Sequence, residues 1–491
     1  MWPELAVLIL SAVEMLGLVL AGFLLFRYWD YSLAEAAAYA LFLPLMAFSF
    51  LFRIAFLIGG LWMAPIMEAG MVVLAGYEIY RFRNQLQTLS REIFNFVKIH
   101  PLATTVLTAG WLFLANKALN ADLAFQGCHE PLALSGPGNS DLLCYFWSRV
   151  SDNHGYGIFG FMAYLTIGFA TYALARRYAW PSTAITVTLI VVSMPRLVYL
   201  ATAANTEIHS AAAAVFSVLA IYRTIEQPNP RDLALLLWGI LFGISGQMLS
   251  IVFPIILVPL CLILMYRRHG FHAWWSQIRY YRLRAGLALI PALVFSQLPW
   301  WVKNLGDGTT GTLFSHFETP PLNPDGIIGT MANISRYLLE SVDLTQPVKQ
   351  ICHRVFGINP IGWLQGIHDG PVAALFAGQG ALAPFKIAWA AGTDLSWFGP
   401  FAFFLILPAI LYALFKASRR LKAVAVALLG YFYLMTLIPA WMPGNARLFT
   451  IFFTTGGFFV AFLLPPWRLS RRQKSLLQIL NSILFFYALL A

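Results

Sequence analysis

The residues best suited to chemistry in this sequence lie in residues 138–150, which read GNSDLLCYFWSRV. Asp141, Tyr145 and Arg149 follow one another at intervals of four, so on a helix they share one face. A carboxylate beside aromatic side chains at a membrane surface is partly desolvated, which suits it to work as a general base. The same spacing also fits a short interfacial helix that Asp141 merely caps.

A second candidate region is the turn at residues 194–210, MPRLVYLATAANTEIHS. Glu207 and His209 lie at the start of an Ala-rich predicted helix. Arg196 lies near the end of the predicted helix before it. An acidic residue at this position is also explained by the helix dipole alone. We interpret His209 as a packing or hydrogen-bonding residue rather than a metal ligand. We expect Glu207 to face the same membrane surface as Asp141.

Three further polar residues follow tryptophans at predicted helix ends. Lys303 and Asn304 come directly after residues 299–302, PWWV, and Arg447 follows residues 441–446, WMPGNA. An arginine presents a planar fork of donors that suits phosphate. The alternative is that these residues anchor the helix ends beside tryptophan at the membrane interface.

The composition predicts the scaffold that must position these side chains. Of 491 residues, 59% are hydrophobic and 11% are charged, and the mean hydropathy is +0.71. Soluble domains carry about 25% charged residues, so the chain is predicted to be an all-α polytopic membrane protein. The first apolar run lacks a small-residue cleavage site and is not interpreted as a removable signal peptide. Fourteen apolar runs are long enough to span a bilayer: 4–26, 35–58, 62–80, 101–118, 155–175, 183–200, 207–223, 231–248, 249–266, 285–302, 396–415, 423–440, 447–465 and 475–490.

The distribution of charge predicts the orientation. Most of the 32 basic residues fall on alternate connections, which places those connections inside and the N-terminus outside. The net charge of +11 therefore reports topology and anionic lipid headgroups, and we expect no nucleic-acid partner. Two loops, 119–154 and 303–393, are predicted to form a cap on the outer side. Arg53 lies within an apolar run and is expected to face protein.

Several chemistries lack their sequence motifs. The chain contains no usable Walker loop, HExxH, GxSxG or dinucleotide-binding glycine pattern, and no CxxC pair. Nucleotide-driven transport, metalloprotease chemistry and serine-hydrolase chemistry are therefore not predicted. No metal ligand set is assigned.

The ordered motifs resemble a known family. Residues 141–149, DLLCYFWSR, are similar to the pattern D-S-L-T-Y-H-L-P-R, with Phe146 in place of the histidine. Thr206–Glu207 resembles an N-D turn that opens an Ala-rich helix. Three further segments are similar in order: residues 299–304 to P-x-x-x-R-N, 394–400 to an F-G-P helix entry, and 442–448 to W-x-P-x-x-x-R-L. Together they resemble the GT-C class of membrane glycosyltransferases, and more closely its bacterial mannosyltransferase/aminoarabinose-transferase-like group.

The resemblance implies an architecture and an activity. It implies a GT-C-like bundle of about 11 spans in residues 101–491, preceded by about three extra spans and a basic amphipathic linker in residues 1–100. The activity would be transfer of a sugar from a polyprenyl-phosphate carrier to an acceptor at the outer face of the inner (plasma) membrane, in construction of a cell-envelope glycan. Two alternatives stay open: a non-catalytic subunit of a larger membrane complex, and a lipid or polyisoprenoid transporter.

The resemblance also implies roles for the candidate residues. Asp141 would be the catalytic base, and Glu207 would position acceptor or sugar. The carrier phosphate would be held by Arg149, Lys303 and Arg447. Tyr145, Arg196, His209 and Asn304 would complete the substrate-binding set. No cofactor would be obligatory, although a divalent metal near Asp141 is compatible with the family.

Overall fold

The computed structural model describes most of the chain, namely residues 2–58, 60–120, 139, 142–143, 146, 155, 157–203, 205–227, 229–296, 298, 321–344, 346–376, 379–387, 389, 393, 395–464 and 471–490. Within these ranges the protein is helical and contains no β-strand, only isolated bridges at Leu322–Pro439 and Ala381–Trp441. The all-α class predicted from the sequence is confirmed for this part of the chain.

The described chain contains 21 α-helices. In chain order they are α1 (Trp2–Tyr28), α2 (Leu33–Ile58), α3 (Ala64–Arg81), α4 (Gln85–Ile99), α5 (Pro101–Leu119), α6 (Ile158–Ala175), α7 (Pro181–Val192), α8 (Pro195–Thr202), α9 (Thr206–Glu226), α10 (Pro230–Gly246), α11 (Val252–Tyr280), α12 (Arg282–Phe295), α13 (Gly326–Ser341), α14 (Gln346–Phe356), α15 (Pro360–Ile367), α16 (Ala373–Phe376), α17 (Leu407–Lys416), α18 (Arg419–Leu437), α19 (Thr450–Gly456), α20 (Val460–Leu463) and α21 (Arg471–Leu490).

The apolar helices make this a multi-pass membrane protein. Seven helices of the described chain are long and apolar enough to cross a bilayer, and nine if each of two bent helix pairs forms one span. The predicted span 183–200 is one such pair, since α7 and α8 meet at 67°. Pro195 opens α8 and cannot donate the amide hydrogen bond that a continuous helix needs. The predicted total of fourteen spans stays a prediction.

The chain divides into two compact units. Unit 1 comprises Met1–Arg177, Leu200–Ile251 and Leu262–Phe317, and unit 2 comprises Tyr178–Tyr199, Val252–Cys261 and Glu318–Ala491. The predicted division of the chain at residue 100 stays a prediction. The first helices are part of unit 1, where α2 packs against both α6 and α9.

The core of unit 1 is formed by α2, α6, α9 and α10. Aromatic side chains in contact with one another fill this core. Their ring centroids are 4.9 Å apart for Tyr39–Phe216 and Phe42–Phe216 and 5.1 Å apart for Phe42–Phe242. Small residues bring the helices together. A methyl group on Gly239 would lie 2.7 Å from the ring of Phe216, so only glycine fits there. This close contact fixes α9 against α10.

Unit 2 is built around α7 and α13 to α21. Gln478 of α21 donates to the hydroxyl of Thr186 on α7 at 2.9 Å. The indole of Trp441 is fully buried, and its ring lies 5.1 Å from that of Phe385. The segments that carry the predicted F-G-P and W-x-P elements, residues 395–400 and 441–448, therefore belong to the same unit.

Candidate functional site

Within the predicted loop 119–154 the structure describes Asn139, which is completely buried in unit 1. Its side-chain amide donates to the carbonyls of Phe242 and Phe295 at 3.2 and 3.4 Å. Its own carbonyl accepts from the Ser49 hydroxyl at 3.0 Å. Since a buried amide is stable only when it is hydrogen-bonded, Asn139 fixes this loop to α2, α10 and α12.

Arg53 fixes the end of α12 in the same region. Its guanidinium is fully buried and donates to the carbonyls of Val294 and Ser296 at 3.3 and 2.8 Å. It also donates to the Ser245 hydroxyl at 2.9 Å. The prediction that Arg53 faces protein is confirmed. Ser296 lies seven residues before Lys303, so the segment that leads to Lys303 begins at this cluster.

Phe146 lies where the similar pattern has histidine. It is buried and contacts the rings of Phe48, Phe52 and Phe159 at centroid distances of 4.5, 6.2 and 5.8 Å. A histidine here would bring a polar ring into contact with three phenylalanines, which costs free energy unless it is hydrogen-bonded. Leu142 and Leu143 are also buried. Leu142, Leu143 and Phe146 therefore pack in the interior. None of them belongs to the predicted face of Asp141, Tyr145 and Arg149.

Glu207 and His209 lie at the start of α9. Asn205 caps the helix by accepting from the backbone N–H of Glu207 at 2.8 Å. Both side chains are buried, and the imidazole of His209 hydrogen-bonds to the backbone of Phe159. This contact agrees with the interpretation of His209 as a hydrogen-bonding residue. Phe159 thus touches both the stretch 139–146 and the turn that carries Glu207.

These contacts define one end of unit 1, which we call the Asn139 end: Asn139, Phe146, Phe159, Glu207 and His209, with Arg53 and Ser296. Five predicted site residues lie outside the described residues: Asp141, Tyr145, Arg149, Lys303 and Asn304. Asn139, Phe146 and Ser296 are described residues that precede or follow them in the sequence.

The remaining two predicted residues belong to unit 2. Arg196 is buried on α8, its backbone N–H donates to the Trp397 carbonyl at 3.0 Å, and its guanidinium lies 5.9 Å from the Tyr199 ring. Arg447 is partly exposed in the 3₁₀ turn Asn445–Phe449. Gly444 precedes this turn with φ +86°, a backbone conformation that favours glycine. The grouping of these arginines with Asp141 and Glu207 stays a prediction.

No protein-family model matches this chain, and no curated protein matches it. The family resemblance therefore depends only on the ordered motifs, and the activity is a matter for proposal. Among the described residues no group of three His, Cys, Asp or Glu side chains is placed to hold a metal ion. The compatibility with a divalent metal near Asp141 stays a prediction.

The sequence did not single out the buried polar face of α13 in unit 2. Asn333, Arg336, Tyr337 and Glu340 all point into the interior at helical spacing. Arg336 donates to Asn333 Oδ1 at 2.9 Å and to the Gln379 carbonyl at 2.7 Å. In the sequence these polar residues recur at intervals of three and four, which indicates a polar helix face. Such a face on an amphipathic helix normally contacts water, so the sequence did not indicate that it is buried.

Two further hydrogen bonds connect α13 to the segment before Arg447. The indole N–H of Trp441 donates to Glu340 Oε2 at 3.2 Å, and Asn445 donates to the Tyr337 hydroxyl at 2.9 Å. Burial raises the pKa of Glu340 to about 8. Glu340 is therefore mostly protonated at neutral pH, and its contact with Trp441 is a hydrogen bond between two neutral groups.

Glu340 makes the stability of unit 2 depend on pH. The folded state keeps the proton up to about pH 8, whereas the unfolded carboxyl loses it near its ordinary value of 4.5. The stability contributed by this group is therefore full below pH 4.5 and is lost as the pH rises toward about 8. We expect Glu340→Gln, which mimics the protonated form, to flatten this fall in thermal unfolding measured at pH 5, 6.5 and 8.

Asp369→Asn is the matched control for Glu340→Gln. This exposed carboxyl has a pKa lowered by hydrogen bonds from His368 and Gln365, so it affects stability only at lower pH. Its replacement should leave the fall between pH 5 and 8 in place. An unchanged pH dependence in Glu340→Gln would contradict the raised pKa.

Proposed function

We propose that this protein is a membrane glycosyltransferase that moves a sugar from a polyprenyl-phosphate carrier to an acceptor at the outer face of the inner membrane. The observation that carries the proposal is the anchoring of three separate chain segments at the Asn139 end of unit 1. These segments lead to Asp141, Glu207 and Lys303. Residues far apart in sequence that meet at one end of a helical bundle are a common way to build a site in a membrane protein.

The reaction proposed is a single displacement at the anomeric carbon. The acceptor hydroxyl loses its proton to Asp141, and its oxygen forms the new glycosidic bond. The bond from the anomeric carbon to the carrier phosphate breaks, and polyprenyl phosphate leaves with the electron pair. Arg149 and Lys303 are proposed to stabilise the charge on that phosphate, and the same role for Arg447 stays a prediction. Glu207 is proposed to position the acceptor or the sugar.

The arrangement of helix ends supports the proposed sidedness. The Asn139 end collects the C-terminal ends of α2, α10 and α12 and the N-terminal ends of α6 and α9. These are the ends that the positive-inside prediction places outside. A site at this end is therefore consistent with a carrier whose sugar is presented on the outer side.

The interior of α9 favours an enzyme over a transporter. This helix runs from Glu207 at one end of unit 1 to Glu226 at the other. All residues of α9 between His209 and Tyr222 are described, and the polar side chains among them are Ser210 and Ser217. Their hydroxyls donate to the carbonyls of Gly243 and Ala213 at 3.2 and 2.7 Å. A transport path along α9 would require further polar groups.

The direct test is release of polyprenyl phosphate from a set of polyprenyl-phosphate sugars by the protein in vesicles of its native membrane, which supply the acceptor hydroxyl. We expect Glu207→Gln to reduce the rate by about 10- to 100-fold, since a misplaced substrate loses the alignment that the reaction requires. Glu78→Gln, whose carboxylate is paired with Arg81 on α3, is the matched control and should be unaffected.

Two outcomes would count against the proposal. Equal rates for Glu207→Gln and the wild type would remove the positioning role of Glu207. If the folded wild-type protein consumes none of the donors, the non-catalytic alternative becomes the better interpretation.

A further inference from the structure

The opposite end of unit 1 carries a compact ionic cluster, which we call the Arg177 end. Arg177 Nη2 lies 2.6 Å from Glu35 Oε1, and Arg177 Nη1 pairs with Glu226. Arg223 lies 3.7 Å from Glu35 and 3.9 Å from Asp232. The charges of Arg177 and Arg223 are therefore compensated within the protein.

Arg231 and Asp30 differ from this cluster. Both are exposed, and neither forms an ion pair with another described residue. The guanidinium of Arg231 lies 4.7 Å from the centre of the Trp29 ring, which orients it by a cation–π contact. One positive and one negative group at this end are thus left for a ligand.

Arg231 and Asp30 both line a polar cavity of about 530 Å³, together with Tyr28, Trp29, Arg223, Gln227 and Asn229. A second cavity of about 570 Å³ shares Trp29, Gln227, Asn229 and Arg231 with the first. Its other walls are mainly apolar and include Leu43, Leu235 and Trp238. The two cavities together have a charged part and an apolar part.

The position of these parts along the helices matches a lipid. The polar cavity lies where apolar helices end, since α1 ends at Tyr28 and α9 at Glu226. Trp238 lies eight residues into α10, which is about 12 Å along the helix at a rise of 1.5 Å per residue. The indole N–H of Trp238 donates to the Ala288 carbonyl at 2.7 Å, so its position is fixed. The apolar groove thus extends from the headgroup depth into the hydrocarbon layer.

We propose that these cavities bind a phospholipid whose headgroup carries a phosphate and a primary ammonium, as in phosphatidylethanolamine. The phosphate would pair with Arg231 and the ammonium with Asp30, while an acyl chain would lie along Leu43, Leu235 and Trp238. A choline headgroup has no N–H to donate to Asp30, and a glycerol headgroup has no positive charge. The inference does not depend on the glycosyltransferase proposal.

The test is native mass spectrometry of the detergent-purified protein with equal amounts of phosphatidylethanolamine, phosphatidylglycerol and phosphatidylcholine. We expect phosphatidylethanolamine to be retained at least fivefold more than phosphatidylcholine, about the net effect of one hydrogen bond. Arg231→Gln should reduce retention of both phosphatidylethanolamine and phosphatidylglycerol. Asp30→Asn should reduce retention of phosphatidylethanolamine alone.

Asp30 has φ +61°, and asparagine adopts this conformation readily, so Asp30→Asn should keep the fold. Arg279→Gln, an exposed arginine on α11 outside both cavities, is the control and should retain lipid like the wild type. Equal retention of the three lipids, or no effect of either variant, would overturn the proposal. Soluble phosphoethanolamine should not bind measurably at millimolar concentration, and binding as tight as that of the lipid would overturn the role of the apolar groove.

Discussion

Asp141→Asn is expected to abolish sugar transfer while leaving the protein folded and inserted. A positioned general base contributes about 10²- to 10⁴-fold to a rate, so the residual rate should fall within that range below the wild type. Asparagine keeps the size of the side chain but cannot accept the proton. The measurement is product formation from a polyprenyl-phosphate sugar at fixed protein concentration in membranes, with the protein level checked by blotting.

Asp152→Asn provides the matched control for Asp141→Asn, because it removes a carboxylate from the same predicted outer loop. Its transfer rate should equal that of the wild type. Normal transfer by Asp141→Asn would rule out Asp141 as the base. Loss of transfer in both variants would instead indicate that the loop as a whole, rather than one carboxylate, determines the activity.

Arg53→Met is expected to have the largest effect on stability. The substitution removes hydrogen bonds to the carbonyls of Val294 and Ser296 and to Ser245, and leaves these buried acceptors without their donor. A buried acceptor left without its donor costs about 1–3 kcal/mol. We therefore expect a clearly lower thermal unfolding midpoint of the detergent-purified protein. We also expect reduced transfer, since these contacts fix Ser296, which precedes Lys303 by seven residues.

Arg91→Met is the control for Arg53→Met, since Arg91 lies on α4, a helix with no buried residues. Its midpoint should match that of the wild type. An unchanged midpoint for Arg53→Met would mean that the carbonyls at the end of α12 find other donors, and it would contradict the anchoring role assigned to Arg53.

Phe146 illustrates why a motif comparison needs the structure. On the sequence it is an unexplained replacement of histidine in an otherwise matching pattern. In the structure it packs against rings from α2 and α6, which lie about a hundred residues before it and a dozen after it. Such a packing role depends on which helices are neighbours, and the hydropathy of one segment does not specify its neighbours.

The sequence by itself determined the membrane class, the helical content and the amphipathic linker before residue 100. These properties follow from local hydropathy and periodicity, because a bilayer requires every spanning segment to satisfy its own backbone hydrogen bonds. It also predicted that Arg53 faces protein, since an exposed charge in lipid is costly.

Only the tertiary structure decided which segments meet. Asn139 contacts Phe242 and Phe295, more than a hundred residues away, and Glu340 contacts Trp441 across a similar separation. It also showed that the basic residues at the Arg177 end differ, with Arg177 and Arg223 compensated and Arg231 left facing a cavity. Two buried polar groups pair only when the fold brings them within hydrogen-bond distance. The order of residue types along the sequence does not specify which groups come that close.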